Sequence, residues 1–157
     1  LFQPRQLLIQ AEEGQAQALL QMEDRVLRAF PETPGRKARM TLVDTSVWVD
    51  HLRHRNGALV DLLGEDQVVC HSFVVGELAC GHLRNRHEIL SLLAALPQAD
   101  VVEHDEALAF LATHGLPGMG LGWIDVHVLA SAVLARTTLW TLDGSLRRAA
   151  QRLRVAY

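Results

Sequence analysis

The sequence predicts an α/β fold, a mainly parallel sheet with helices on both faces, preceded by an N-terminal helical extension. Three observations predict it. Short apolar runs of strand length alternate with longer segments whose apolar residues recur at helical spacing. The stretch Met40-Thr41-Leu42-Val43-Asp44-Thr45-Ser46-Val47-Trp48 shows the unit in miniature: a buried-strand pattern, an abrupt carboxylate, a helix-cap signal and then helical periodicity. The chain has 157 residues, 49% of them hydrophobic but only 5% aromatic, which suits one globular domain with an aliphatic core and an appendage.

Residues 1–39 stand apart. Leu19, Met22, Val26, Leu27 and Phe30 recur at helical spacing and predict an amphipathic helix over about 15–30. Pro31, Pro34 and Gly35 break it, and Arg36, Lys37 and Arg39 form a short basic connector. From Met40 onward the pattern is βα repeated. A strand is expected at 41–44, helices at 46–55 and 58–63, and a strand at 68–70. Helices at 72–82 and 86–96 follow, the second closed by Pro97, and then a strand at Val101 and Val102. A helix at 106–114 leads into a loop, 115–122, that holds four glycines and Pro117. An apolar, Ala-rich helix at 123–135 reads as buried. A strand at 138–142, a helix at 145–152 and an edge strand at Val155 and Ala156 complete the chain. Strands alternating with helices imply a parallel sheet covered on both faces.

Composition excludes several classes. No run of eighteen apolar residues exists, so no membrane span is predicted. No signal peptide is visible. The two cysteines, Cys70 and Cys80, are too few for a disulfide framework and read as buried free thiols in a reducing, cytoplasmic setting. Net charge is -3; residues 1–39 hold six basic and five acidic groups, while residues 40–157 hold nine arginines and thirteen acids. This balance does not announce a nucleic-acid binder, but it leaves room for an acidic site that needs a cation.

Four acids are the candidates. Asp44 ends the first strand, and Asp143 directly follows the strand at 138–142. Both therefore belong on the carboxyl edge of the sheet, where ligands and chemistry sit in open α/β folds. Asp125 lies in the first turn of the Ala-rich helix, where the helix dipole favours a carboxylate; simple capping is the alternative. Glu77 sits within Phe-Val-Val-Gly-Glu-Leu-Ala-Cys, where a solvated acid has no obvious place. Acids are seldom fully buried unless paired or cation-bound; an ordinary surface Glu is the alternative. The single lysine, Lys37, lies outside this domain, which leaves the arginines as the alternative partners for these acids. Two carboxylates about 4 Å apart repel by roughly 4 kcal/mol at an effective dielectric of 20. A cluster of four stays ionised only with divalent cations, and all-oxygen ligands suit Mg2+ or Mn2+ rather than zinc. Such ions lower the pKa of a water, polarise a phosphoryl oxygen and steady a leaving oxygen, the equipment for phosphodiester hydrolysis.

These segments also resemble a known family. Asp44-Thr45-Ser46-Val47-Trp48-Val49-Asp50, Gly76-Glu77-Leu78, Gly122-Trp123-Ile124-Asp125 and Leu139-Trp140-Thr141-Leu142-Asp143 are similar, in order and separation, to the successive motifs of PIN-domain ribonucleases, in particular the VapC toxins of bacterial toxin–antitoxin pairs. The resemblance runs from Met40 to Tyr157 and implies a PIN-like three-layer α/β/α domain there. It makes Asp44, Glu77, Asp125 and Asp143 the acidic quartet, with Ser46 or Thr141 a hydroxyl contributor near the metal. It implies Mg2+-dependent endonucleolytic cleavage of RNA, often tRNA or rRNA, leaving a 5′-phosphate. It further implies a homodimer and inhibition by a VapB-type antitoxin. Residues 1–39 are a departure, since such a domain does not need them; an accessory helix, an expression or gene-start artefact and an antitoxin-like, autoinhibitory segment are the three readings. Two rivals are a catalytically silent PIN-like RNA-binding or regulatory module and a haloacid dehalogenase-type phosphatase. The phosphatase wants a second Asp two residues after the first, where this chain has Ser46.

The remaining features are weaker. His51 and His54, at i,i+3, and the scattered His82, His87, His104, His114 and His127 read as solvated or capping residues, with metal-binding pairs as the alternative; His71 precedes Ser72, within reach of the cleft. Trp48 and Trp123 adjoin two of the acids and read as core rather than as base-stacking platforms. Arg84, Arg86, Arg147, Arg148, Arg152 and Arg154 are the visible RNA-binding candidates, able to grip phosphates or simply to solvate helix faces.

Overall fold

The computed structural model describes residues 40–157. The expected N-terminal helix and basic connector lie outside the described residues. Eleven elements follow in βα alternation: β1 (Thr41–Val43), α1 (Thr45–His54), α2 (Gly57–Gly64), β2 (Val68–His71), α3 (Ser72–Cys80), α4 (Arg86–Ala95), β3 (Gln98–Ala99), α5 (His104–Thr113), α6 (Trp123–Leu134), β4 (Thr138–Trp140) and α7 (Gly144–Arg152). The four strands form one sheet in the order β3-β2-β1-β4. Each pairing is parallel, with Thr41 opposite both Val68 and Thr138. Helices α1, α3 and α4 pack together, as do α5, α6 and α7, so the sheet is the middle of three layers.

β1 and β2 are short apolar runs because they are central and buried on both faces. Leu42, Val43, Val69 and Cys70 are essentially inaccessible and meet Leu59, Val74, Leu129 and Leu146 in one core. Helix α6 is buried from Val126 to Ala132, as its all-round apolar sequence requires. Burial pushes the Cys70 thiol up to about 11. Cys80 is exposed rather than buried, and both thiols are free.

Several boundaries differ from the sequence expectation. The third strand is Gln98–Ala99, not Val101 and Val102. Pairing begins as soon as Pro97 has passed: Pro97 offers its carbonyl to the Cys70 N–H at 2.8 Å, and a proline needs no donor at that place. Val102 serves the core instead. Helix α5 begins before Glu106 because Glu103 and Glu106 form a reciprocal capping box. Helix α3 stops at Cys80, with Gly81 as its cap. The strand expected at 138–142 ends at Trp140, and the edge strand at Val155 and Ala156 is a single parallel bridge between Leu139 and Ala156. In the loop 115–122, Gly120 takes φ +76°, and a side chain there would meet Ser145 Oγ at 3.2 Å.

Candidate active site

The sheet places two acids side by side. Asp44 follows β1 directly, and its N–H still donates to the Trp140 carbonyl of β4 at 2.9 Å. The same residue is the N-cap of α1. Its Oδ2 accepts from the Ser46 N–H (3.3 Å), the Ser46 hydroxyl (2.6 Å) and the Thr141 hydroxyl (2.8 Å). Each hydroxyl is in turn fixed from behind. Ser46 Oγ accepts the Leu142 N–H at 2.9 Å, and Thr141 Oγ1 accepts the Asp143 N–H at 3.0 Å. With both protons committed to Asp44, the 3.3 Å approach of the two hydroxyls is a contact and not a third bond. Asp44 is 6% exposed.

Asp143 is the N-cap of α7, and its Oδ1 accepts the Ser145 and Leu146 N–H groups at 2.8 Å each. Asp125 is the third residue of α6 and accepts the Gly122 N–H at 2.7 Å. Burial raises its pKa above the ordinary carboxylate range, and the charges of Asp44, Asp143 and Glu77 raise it further; the Gly122 N–H opposes them. All four predicted acids therefore share one electrostatic field. Glu77 departs from expectation in its burial. It is exposed, and its Oε2 accepts the Thr45 hydroxyl. Helix α3 turns Val74 and Leu78 inward and leaves Glu77 on the cleft side.

Thr45, which sequence reasoning assigned only to helix capping, donates to Glu77 and lines the cleft. Arg53 was missed. Thr45, Val49 and Arg53 lie on one face of α1 at i, i+4 spacing. With Glu77, Leu78 and Arg84 they line a cleft of about 460 Å³ that takes in Glu77 but not Asp44, Asp125 or Asp143. That spacing was the available signal. Among the predicted arginines, Arg86 donates to the Ala79 carbonyl and reaches the Gly81 carbonyl at 3.5 Å, so it closes the end of α3. Arg147 is exposed on α7, and Arg148 folds back to donate to Ser145 Oγ at 3.0 Å.

His71 is fully buried beneath the site. Its Nδ1 accepts the Phe73 N–H at 3.1 Å, so Nε2 carries the proton and donates to Ser131 Oγ at 3.2 Å. Burial lowers its pKa to about 4. Trp48 is core at 5% exposure, as expected, but Trp123 is 40% exposed.

Does this donor set fit a divalent metal? Among the described residues, no group of three or more His, Cys, Asp or Glu side chains stands ready to hold an ion directly. Each acid has one oxygen turned to a protein donor. No ion pair joins any of the four to a basic side chain among the described residues. Carboxylates without basic partners, each keeping its other oxygen free of a protein donor among the described residues, are donors of the kind a hard cation takes, and here they would reach it through water rather than as a direct cage.

The PIN domain model matches residues 41–152. Ribonuclease VapC32 of Mycobacterium tuberculosis, in the strains CDC 1551 and H37Rv, is 47% identical over 111 residues, which span 70% of this chain and 90% of the relative. The strand-end acids, the parallel three-layer architecture and these similarities agree: the chain belongs to the PIN-domain family, among the VapC ribonucleases.

Proposed function

We propose that the chain is a metal-dependent endoribonuclease, the toxin component of a type II toxin–antitoxin system, with residues 40–157 as its catalytic domain. One observation carries the reading: Asp44 and Asp143 follow two paired strands at the carboxyl edge of the sheet, and neither they nor Asp125 and Glu77 are joined to a basic side chain among the described residues. Asp44, Glu77, Asp125 and Asp143 would hold Mg2+ or Mn2+, whose charge when bound makes water a stronger nucleophile and offsets charge developing at phosphorus. The chain's own residues supply orientation. Ser46 and Thr141 fix the Asp44 carboxylate, and the first turn of α7 fixes Asp143. Arg147, Arg148 and Arg84 would grip the RNA backbone; Arg86 is occupied with α3. The substrate class is tRNA or rRNA, the partner a VapB-type antitoxin, and the active form a homodimer in the cytoplasm.

The silent-module reading draws on the carboxylate oxygens already turned to protein donors. Cleavage of a mixed tRNA and rRNA pool with Mg2+ or Mn2+, with EDTA, and with Asp44→Asn separates the two. The nuclease reading expects cutting that chelation and the substitution both abolish. No cutting under any divalent metal, by the full chain or by residues 40–157, would leave the silent module.

A further inference from the structure

Trp123 is a large apolar ring left 40% exposed at the first position of α6, in the same turn as Asp125. It is not loosely held. His127, one turn along α6, meets its ring edge-on at 4.8 Å between centroids. His104, at the start of α5, lies against it at 5.1 Å. His127 is itself braced by Phe73 at 4.9 Å, and Phe73 by the buried His71 at 5.3 Å. Phe73 and Glu77 stand one turn apart on the same side of α3. The row of rings therefore runs from the first turn of α6 to the helix face that carries an acid of the site.

Resting on the nuclease reading above, we infer that Trp123 is a base-stacking platform that selects RNA unpaired beside the cleaved phosphate. The ring is 40% exposed, is packed against His104 and His127, and stands two residues before Asp125 at the start of α6. A base can lie on it only after leaving its own stack, so a looped or single-stranded site is favoured over a duplex. Stacking of this kind tolerates any base, so Trp123 sets the structural class of the target and not its letters. Its role is positioning; the acids retain the chemistry.

The test uses the full chain in EDTA, with fluorescence anisotropy of a labelled 12-nucleotide single strand and of the same strand in duplex. Loss of one stacked base at about 1–3 kcal/mol corresponds to roughly 5- to 150-fold weaker binding. Trp123→Leu is expected to show that loss for the single strand with little change for the duplex, and Trp123→Phe to recover most of it. With metal present, KM for an RNA cut in a loop should rise in Trp123→Leu while kcat stays within about threefold. Equal binding by Trp123→Leu and the parent would overturn the inference. So would equal losses on both RNAs, failure of Trp123→Phe to rescue, or an effect confined to oligomeric state. Because binding is read without metal, a chain that cuts no RNA sinks the nuclease reading while this arm still decides the platform.

Discussion

Thr141→Val tests the mounting of Asp44. The substitution keeps shape and burial but removes the hydroxyl that donates to Asp44 Oδ2 at 2.8 Å and accepts the Asp143 N–H at 3.0 Å. A hydrogen bond to a charged group is worth about 1.5–3 kcal/mol, and an unsatisfied buried donor adds about 1 kcal/mol or more. Asp143 is exposed and water can reach part of its backbone, so the second figure is discounted. The expected cost is about 2–3 kcal/mol, or roughly 10 °C in Tm for a domain of this size. Urea denaturation followed by far-UV circular dichroism in EDTA measures it. The same substitution on an Asp44→Asn background should cost about 1 kcal/mol less, because the bond then joins neutral groups. A cost below about 0.5 kcal/mol, or the same cost in both backgrounds, would refute the claim that Thr141 orients a charged Asp44.

Three further outcomes are expected. His71 is held neutral with its pKa lowered to about 4 from 6.5, so the unfolded chain binds the extra proton first; stability should fall by up to about 3 kcal/mol as pH drops from 6.5 to 4, and His71→Asn should flatten that slope in pH-dependent urea unfolding. Asp125 has a raised pKa, so its ionised form opposes folding above the ordinary carboxylate pKa, and that loss grows as pH rises through the raised value. Asp125→Asn should therefore raise the metal-free Tm at pH 7, and Mn2+ should raise the Tm of the parent more than that of the variant in differential scanning fluorimetry. Replacing Arg147 and Arg148 by Gln should weaken binding to all RNA sequences alike and reduce the salt slope by about 1–2, read from anisotropy between low and moderate salt.

Much of the site was legible because its acids sit where local rules converge. A buried strand, a carboxylate and a capping signal locate Asp44 and Asp143 on one edge without reference to any distant contact. Asp125 announced itself by its place in a first turn after a glycine-rich loop. Glu77 was expected to be buried among apolar neighbours and is instead exposed on the cleft side. An apolar helix that packs on one side can still turn a single acid outward, and periodicity in a nine-residue segment with small residues does not say which side. The third strand was illegible because Gln98 and Ala99 carry no strand propensity; backbone pairing with Cys70 and His71 makes them a strand, and that is decided by tertiary position. Trp123 was misread as core for a related cause. An apolar helix invites a buried tryptophan, and only its place at the helix start, beyond the packed stretch from Val126, leaves the ring in solvent.

The most direct measurement is Mn2+ binding by electron paramagnetic resonance, on the parent chain and on Asp44→Asn, Glu77→Gln, Asp125→Asn and Asp143→Asn. A single site built from these acids predicts saturable binding that each substitution weakens about tenfold or more. Undiminished binding in the Asp44 or Asp125 variant, or no saturable binding by the parent chain, would contradict the metal site on which the catalytic reading stands.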